Sequence, residues 1–450
     1  MTLNQRRILY IFFIISFLVI TPLISLYAAG YSIGKGLSIE KTGILIIDSK
    51  PRGAKIYLND KVQQAFLKKY FSRDQSYFKT PAKIKNLRPG DYKISLQAEG
   101  YWTWEKKLSI KPGESTFAED IYLFKNDLPT LAVKGFYDEL IMSPDKKKLA
   151  AFNNNKVVIL NLNNELIDSY ISSSTNLNNA SDMNISWSPN EENLILGQYV
   201  FNINNWASPL ILSNIIGNQK NIKWSRNDYS VFYNTKNGLY RYNTDAKIND
   251  TVINESGIND YLLIDNNLYF IILAGHTTEL NILSLNDHNI IKKIKLPYST
   301  YVFLNQKHKL INLYDTTYNI LYLIDPFSDL RPLREAINNV NKTFWINDNK
   351  LLYANDFEIW TLDLVNFKRE LLTRISSKIN KIIWHPNNNY VIYATDKNIN
   401  TIELDDREKR NITNLIELDV ISGLQINEKG DTLYFYSKIG NQGGIYKLSI

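Results

Sequence analysis

The sequence contains no cysteine and only four histidines among its 450 residues. A chain without cysteine forms no disulfide, has no thiolate nucleophile and holds no Cys-ligated zinc or iron–sulfur centre. Four scattered histidines leave little for metal binding or acid–base work, so we expect no metal and no cofactor. Together these absences argue against an enzyme.

The charge imbalance is also small. The chain has 52 lysines and arginines and 45 aspartates and glutamates, which gives a net charge of +7. This small surplus is spread along the chain and does not indicate a nucleic-acid-binding protein. Aromatic residues make up 12% of the sequence, which favours strand-rich folds over helical bundles. At roughly 100 to 200 residues per domain, the length predicts two or three folded units.

One long uncharged stretch, residues 8–29, follows Arg6 and Arg7. At ~1.5 Å per residue it is long enough to cross a hydrocarbon core of about 30 Å, so we predict a transmembrane signal-anchor helix in contact with the lipid bilayer. A cleaved signal peptide is the alternative, although its apolar region is usually only ~7 to 15 residues long. The positive-inside rule places residues 1–7 in the cytoplasm and the bulk of the chain outside.

Residues 30–42 are expected to form a flexible linker. Gly30 to Gly34 matches the G-x-S-x-G nucleophile motif, but that motif needs a strand before it and a helix after it. Here it follows the membrane segment, so we interpret it as a spacer. From Gly43 to residue 124, short alternating strands separated by Pro and Gly turns predict a small all-β sandwich.

Five ordered landmarks in the region 43–124 resemble the PEGA domain family: Pro51/Gly53/Ala54, Thr80-Pro81, Leu87/Pro89/Gly90/Tyr92, Gly100-Tyr101 and Pro112-Gly113-Glu114. The resemblance implies an extracytoplasmic β module like those of surface and envelope proteins, without catalytic residues. The sequence departs from the family pattern between Asp60 and Thr80, where an additional segment occurs. A partly apolar helical stripe in that segment would either cap the sandwich or dock a partner: Val62, Ala65, Phe66, Lys69 and Tyr70.

Trp102 and Trp104 raise the question of a sugar-stacking platform. Because the strand predicted from Trp102 continues on the same face to Leu108 and Ile110, we expect both tryptophans to pack in the core instead.

The region 128–450 repeats itself with a period near 40 residues, which is typical of a propeller or an array. The clearest copies, 185–190, 222–227 and 382–387, each carry a tryptophan before a polar turn and an apolar strand. Five weaker copies can also be aligned. The residues at their tryptophan position are Met142, Leu263, Phe303, Trp345 and Gln425. One repeat of this length forms one four-stranded blade, so the pattern predicts an eight-bladed, alternatively seven-bladed, β-propeller. The pattern resembles TolB-type propellers.

The last repeat is predicted to contain only three strands. We expect the segment 128–134 to supply the fourth strand of this repeat and so remove an open sheet edge. The sequence therefore predicts a mainly β fold that consists of a transmembrane helix, a PEGA-like sandwich and a propeller.

Two classes of function fit this architecture. In the first, a membrane anchor and a β module present the propeller to an envelope protein or polysaccharide. In the second, the chain is an envelope carbohydrate-active enzyme or another hydrolase with its site on a propeller face, which needs converging carboxylates that no sequence spacing shows. We expect the binding or scaffolding class and no catalytic residues.

The loops joining second to third strands are the predicted binding face, because recognition usually resides in loops on a rigid scaffold. Their candidate partner-binding residues are Lys236, His276, Tyr318, Asp356, Lys397 and Asn441. The opposite rim of the propeller carries the comparison residues Lys147, Arg226 and Lys429.

Overall fold

The computed structural model describes residues 3–33, 38–63, 77–153, 156–164, 166–171, 185–217, 219, 221–225, 230–304 and 309–450. Helix α1 spans Leu3–Ala28, and its part Gln5–Ala28 is apolar and long enough to cross a membrane. The helix is exposed along its length and includes Pro22. This matches the predicted span at 8–29, with the helix starting a turn earlier.

The segment after the helix contains more structure than a spacer. Strand β1 (Tyr31–Ile33) pairs antiparallel with β2 (Ile39–Lys41). The hydroxyl of Thr42 also donates to the carbonyl of Gly30 over 2.7 Å. The expectation of a flexible linker was therefore wrong for its described residues, because backbone pairing holds its two ends together.

A two-sheet sandwich follows. One sheet has the order β6-β3-β9 and the other β5-β4-β7-β8. The strands are β3 (Gly43–Lys50), β4 (Lys55–Leu58), β5 (Lys61–Val62), β6 (Ala82–Leu87), β7 (Gly90–Gln97), β8 (Trp104–Ile110) and β9 (Ser115–Tyr122). Strands β3 and β9 run parallel, which joins the first and last strands of the module. The helical stripe predicted in the additional segment lies almost wholly outside the described residues.

Alternation along the strands builds the sandwich core. Strand β8 buries every second residue, so Trp104, Leu108 and Ile110 pack against both sheets. The expectation of core packing is confirmed for Trp104. It was wrong for Trp102, which precedes the strand and packs against a hydrophobic cluster of the propeller region. Strand β8 begins only at Trp104, so the two tryptophans do not belong to one strand.

Within the described residues, eight four-stranded antiparallel sheets make up the region from 130 onwards, which we call the propeller region. Sheets 1 to 4 contain β11 (Glu139–Met142), β12 (Lys148–Asn153), β13 (Lys156–Asn161), β14 (Ile167–Ile171); β15 (Ile185–Trp187), β16 (Asn193–Leu196), β17 (Tyr199–Asn202), β18 (Asn205–Ile211); β19 (Ile222–Trp224), β20 (Ser230–Thr235), β21 (Gly238–Asn243), β22 (Ile248–Ile253); β23 (Ile258–Ile264), β24 (Asn267–Ala274), β25 (Thr277–Ser284) and β26 (Ile290–Leu296). A short helix α2 (Ser213–Ile216) follows β18.

Sheets 5 to 8 continue the same order. They contain β27 (Tyr301–Phe303), β28 (Ile311–Asp315), β29 (Ile320–Ile324), β30 (Leu333–Asn338); β31 (Lys342–Asn347), β32 (Lys350–Ala354), β33 (Glu358–Asp363), β34 (Lys368–Arg374); β35 (Lys381–Trp384), β36 (Tyr390–Ala394), β37 (Asn398–Glu403), β38 (Ile412–Glu417); β39 (Ile421–Ile426), β40 (Thr432–Ile439), β41 (Gln442–Ser449) and β10 (Thr130–Lys134). Every residue predicted at the tryptophan position lies in the first strand of its sheet.

Sheet 8 combines the two ends of the propeller region. Strand β10 pairs antiparallel with β41, with Thr130 opposite Lys447 and Lys134 opposite Gly444. The segment predicted to complete the last repeat does pair with it.

Hydrophobic packing links each sheet to the next. Eight clusters of buried residues each join two neighbouring sheets, and one of them joins sheet 8 to sheet 1 through Val133, Ile445, Leu140 and Leu149. Neighbouring sheets thus bury their apolar faces against each other, as sheets must when each is too small to form a core alone.

Candidate functional site

The sandwich and the propeller region meet at an interface that we call the joint. Sandwich strands β8 and β9 and the segment that follows them lie against sheets 7 and 8. The propeller residues at the joint come from the turns between first and second strands and from the loop between the third and fourth strands of sheet 7. They include His385, Arg407 and Glu408, together with Tyr390 at the start of β36.

A buried charge cluster lies at the centre of the joint. Lys106 of the sandwich occupies an inward position of β8, and its Nζ is 3.0 Å from Oε2 of Glu403 and 3.4 Å from Oδ2 of Asp405. The Lys106 residue is 2% exposed and Glu403 4%. Trp104 Nε1 donates to Glu403 Oε1 over 3.1 Å, and the Asn411 amide donates to Oε2 over 2.8 Å. Burial raises the pKa of Glu403, while the contact with Lys106 opposes that rise.

Aromatic rings also pack across the joint. The His385 ring lies 4.8 Å from the Tyr122 ring and 5.8 Å from the Phe124 ring. Its Nε2 is 2.8 Å from the carbonyl oxygen of Gly430, and burial lowers the pKa of the imidazole. The Tyr390 hydroxyl accepts a hydrogen bond from the Tyr122 backbone N–H. These contacts fix the sandwich on one rim of the propeller region.

The rim opposite the joint carries the turns between second and third strands and the connections that enter each first strand. We call it the open rim. A repeated hydrogen bond shows that these two kinds of loop lie together: a side chain just before the first strand donates to an aspartate at the end of the second strand or in the turn after it, over 2.6 Å in each case. The pairs are Ser299–Asp315, Asn341–Asp356 and Asn380–Asp396.

A groove of about 600 Å³ opens on this rim beside Asp356. Side-chain amides, the exposed ring of Phe357 and the Arg374–Glu358 pair line it. Arg374 Nε donates to Glu358 Oε1 over 2.6 Å. Hydrogen bonds from Trp360 and Arg374 lower the pKa of Glu358, so this carboxylate is held ionised. The groove therefore offers amide, carboxylate and guanidinium groups beside one aromatic ring.

The structure places all six predicted partner-binding residues in turns between second and third strands. Of these six residues, only Asp356 lines the groove. The other five lie in the corresponding turns of sheets 3, 4, 5, 7 and 8: Lys236, His276, Tyr318, Lys397 and Asn441. Tyr318 is 64% exposed and His276 contacts the exposed Tyr298 ring at 5.9 Å. Among the described residues, no hydrogen bond, ion pair or ring contact joins one candidate to another, so their role as a single surface stays a prediction. Of the comparison residues, Arg226 lies outside the described residues.

Sequence reasoning missed the polar residues of the joint and, apart from Asp356, the residues of the groove. Lys106 was detectable, because a lysine stands at an inward position of an alternating strand. Glu403 and Arg374 gave no comparable signal, since polar residues at strand ends are usually solvated. In the described part of the chain, no group of three or more histidine, aspartate or glutamate side chains is placed to hold a metal ion.

Comparisons with known proteins agree with both folded units. The PEGA domain model matches residues 74–119, within the sandwich. No curated protein matches the chain. A solved structure described as the Dos1 propeller is 14% identical, covers 71% of this chain and 94% of its own, and has a TM-score of 0.50.

Two further structures show weaker similarity. The C-terminal WD40 domain of Sif2 is 12% identical, over 72% of this chain and 99% of that one, with a TM-score of 0.48. Dipeptidyl peptidase 4 of Porphyromonas gingivalis is 13% identical, over 69% of this chain and 57% of that one, with a TM-score of 0.47. At these identities the similarity concerns the fold alone. The chain thus combines a sandwich that is similar to the PEGA domain over residues 74–119 with a region of β-propeller fold.

Proposed function

We propose that this chain is a membrane-anchored, extracytoplasmic binding or scaffolding protein of the cell envelope. In this proposal residues 1–7 are cytoplasmic, 8–29 cross the bilayer, 30–42 connect to the PEGA-like sandwich of 43–124, and 128–450 form an eight-bladed TolB-type propeller. The ring of inter-sheet clusters and the pairing of β10 with β41 support eight blades and a closed ring.

The joint is the observation that carries the proposal. It attaches the sandwich to the rim formed by sheets 7 and 8, so that part of the rim is not available to a partner. The described residues of the sandwich do not contact the open rim. This rim presents polar loops on a rigid scaffold, together with exposed aromatic rings at Phe136, Tyr298, Tyr318 and Phe357. Exposed aromatics among polar groups are typical of protein-binding surfaces. We infer that the open rim docks a protein partner.

A polysaccharide partner is the second candidate, and the groove beside Asp356 favours it. Amides, a carboxylate and the Phe357 ring are groups that can bind sugar hydroxyls and stack on a sugar face. Hydrolysis has less support. Glycosidases need one carboxyl with a raised pKa, whereas hydrogen bonds lower the pKa of Glu358, and Asp356 accepts from Asn341.

Site-specific photocrosslinking tests the binding proposal. A photoreactive residue replaces Tyr318 on the open rim, or Lys429 on the opposite rim as the matched control, in the full chain in its native membrane. We expect a discrete adduct from position 318 and none from 429. The adduct is then digested with protease or analysed for sugar, which separates the two partner classes. Adducts of equal yield at both positions, or at 429 alone, would contradict the choice of rim.

The orientation has its own test. Protease added outside intact cells should degrade the propeller, because it lies on the extracytoplasmic side. Full protection in cells together with degradation in lysates would show that the orientation is reversed.

A further inference from the structure

The central channel of the propeller region contains a cavity that none of the predicted binding residues lines. Its volume is about 320 Å³. It lies among the first strands of sheets 6, 7, 8 and 1, and its wall includes Lys146, Lys342, Phe344, Lys381 and Gln425. First strands line the centre of a propeller, so this cavity belongs to the channel itself.

Two lysines occupy the same position in neighbouring sheets. Lys342 is the first residue of β31 and Lys381 the first residue of β35, and both line the cavity. Neither amine forms an ion pair within 4.0 Å with any described carboxylate. Lys146 also lines the cavity, from the turn after β11; burial lowers the pKa of its amine and Glu428 opposes that shift. Three lysines therefore line one cavity, which is partly open to solvent.

The electrostatics of the two lysines indicate a missing counter-charge. Burial lowers the pKa of Lys381, an effect that Glu139 opposes and that Lys342 reinforces. Burial also lowers the pKa of Lys342. Lys378 lowers this pKa further, whereas Asp356 raises it. Glu139 and Lys381 each oppose the other's burial shift but form no ion pair within 4.0 Å, and Asp356 already accepts from Asn341.

We propose that the ammonium groups of Lys342 and Lys381 bind the oxyanion of a small ligand, a phosphate or a carboxylate, inside the channel. An oxyanion accepts charge-assisted hydrogen bonds from both amines and removes the repulsion between them. Lysine is a common phosphate-binding residue and acts there as a point charge. The cavity has room for a small anion but none for a folded partner, so its ligand differs from the partner proposed for the open rim.

Titration calorimetry on the full chain in detergent tests this site with two probes, inorganic phosphate and acetate, at constant ionic strength. We expect saturable binding of at least one probe. Saturation by phosphate alone identifies phosphate as the ligand chemistry, and saturation by acetate alone identifies a carboxylate. Heat that does not saturate with either probe would overturn the proposal.

Single substitutions locate the site. Lys342→Gln and Lys381→Gln should each weaken binding about tenfold, the effect of losing one charge-assisted hydrogen bond. Lys381→Arg retains the charge and should bind more tightly than Lys381→Gln. Lys397→Gln, which changes an exposed lysine of the open rim, is the matched control and should bind as the unmodified chain does. Equal affinity in all variants would show that the channel lysines do not bind the anion.

Folding of the variants is followed by their melting temperatures without ligand. Replacing Lys381 by glutamine removes a desolvated charge from beside Lys342, so the melting temperature should stay the same or rise. A variant that folds normally and still loses the probe supports the site, whereas one that folds normally and keeps full affinity refutes it.

Discussion

Lys106 in the sandwich and Glu403 in the propeller region form an ion pair with Nζ 3.0 Å from Oε2, and both side chains are buried. The neighbouring hydrogen bond from Trp104 to the same carboxylate joins residues 299 positions apart. Removing one partner of a buried pair leaves an uncompensated charge, which is more costly than the net contribution of the pair itself. The joint is therefore sensitive to single substitutions.

Lys106→Ala should lower the free energy of unfolding by about 3–5 kcal/mol, because Glu403 would remain buried without its cation. The measurement is equilibrium unfolding in denaturant. Lys107→Ala is the matched control, since Lys107 pairs with Asp91 at a position where both side chains are about half exposed. The double variant Lys106→Met/Glu403→Met should recover much of the loss. A loss as large for Lys107→Ala would show that the joint has no special role.

His385 should make the stability depend on pH. Burial lowers its folded-state pKa, so the folded protein keeps the ring neutral while the unfolded chain binds a proton below about pH 6.5. Stability should therefore fall as the pH drops below that value, by at most ~1.4 kcal/mol per pH unit, until the lowered folded-state pKa is reached.

Denaturant unfolding between neutral and mildly acidic pH measures this slope. His385→Gln should flatten it, whereas His276→Gln, at an exposed turn, should leave it unchanged. The same slope in all three proteins would mean that another group controls the acid sensitivity.

Pairing of the two ends of the propeller region should be essential for its stability. A Cβ added at Gly444 would lie 2.5 Å from the carbonyl oxygen of Val133 in β10. Gly444→Ala should therefore push β10 away from β41 and cost about 1–3 kcal/mol, a typical penalty for overpacking. At Gly443 the nearest atom to an added Cβ is a tyrosine hydroxyl at 3.1 Å, which can move, so Gly443→Ala is the milder control.

Deletion of 128–134 is the stronger form of the same test. It leaves β41 with an open edge and should strongly lower the melting temperature. Leu128→Ala, at a side chain 79% exposed, should have little effect. An unchanged melting temperature after the deletion would exclude a stabilising role for β10.

Binding should depend on the open rim more than on its opposite. Once photocrosslinking has identified a partner, Lys236, His276, Tyr318 and Lys397 are replaced together by alanine and the dissociation constant is measured. We expect a loss larger than that caused by alanine at Lys147, Arg226 and Lys429. A residue at the centre of a binding interface typically contributes more than 1 kcal/mol, which corresponds to about fivefold or more in affinity. A reversed order would move the binding surface to the opposite rim.

The sequence alone determined the local architecture of this protein. The uncharged stretch before Tyr31 dictates a helix because nothing else satisfies its backbone in an apolar environment. Alternation along β8 and the turn residues around it dictate a sandwich, and the repeat with Trp187, Trp224 and Trp384 dictates first strands of successive sheets. These features depend on neighbours close in the chain, which periodicity reports directly.

Only the tertiary structure decided how the units use their polar residues. Lys106 breaks the apolar pattern of β8, yet its partner Glu403 lies in a distant sheet, and no spacing in the sequence connects them. The same holds for Lys342 and Lys381. In the sequence they resemble ordinary solvated lysines, but in the structure two adjacent first strands place them beside one cavity. Burial and the distance between charges set the chemistry of such groups, and both quantities exist only after the sheets have packed against one another.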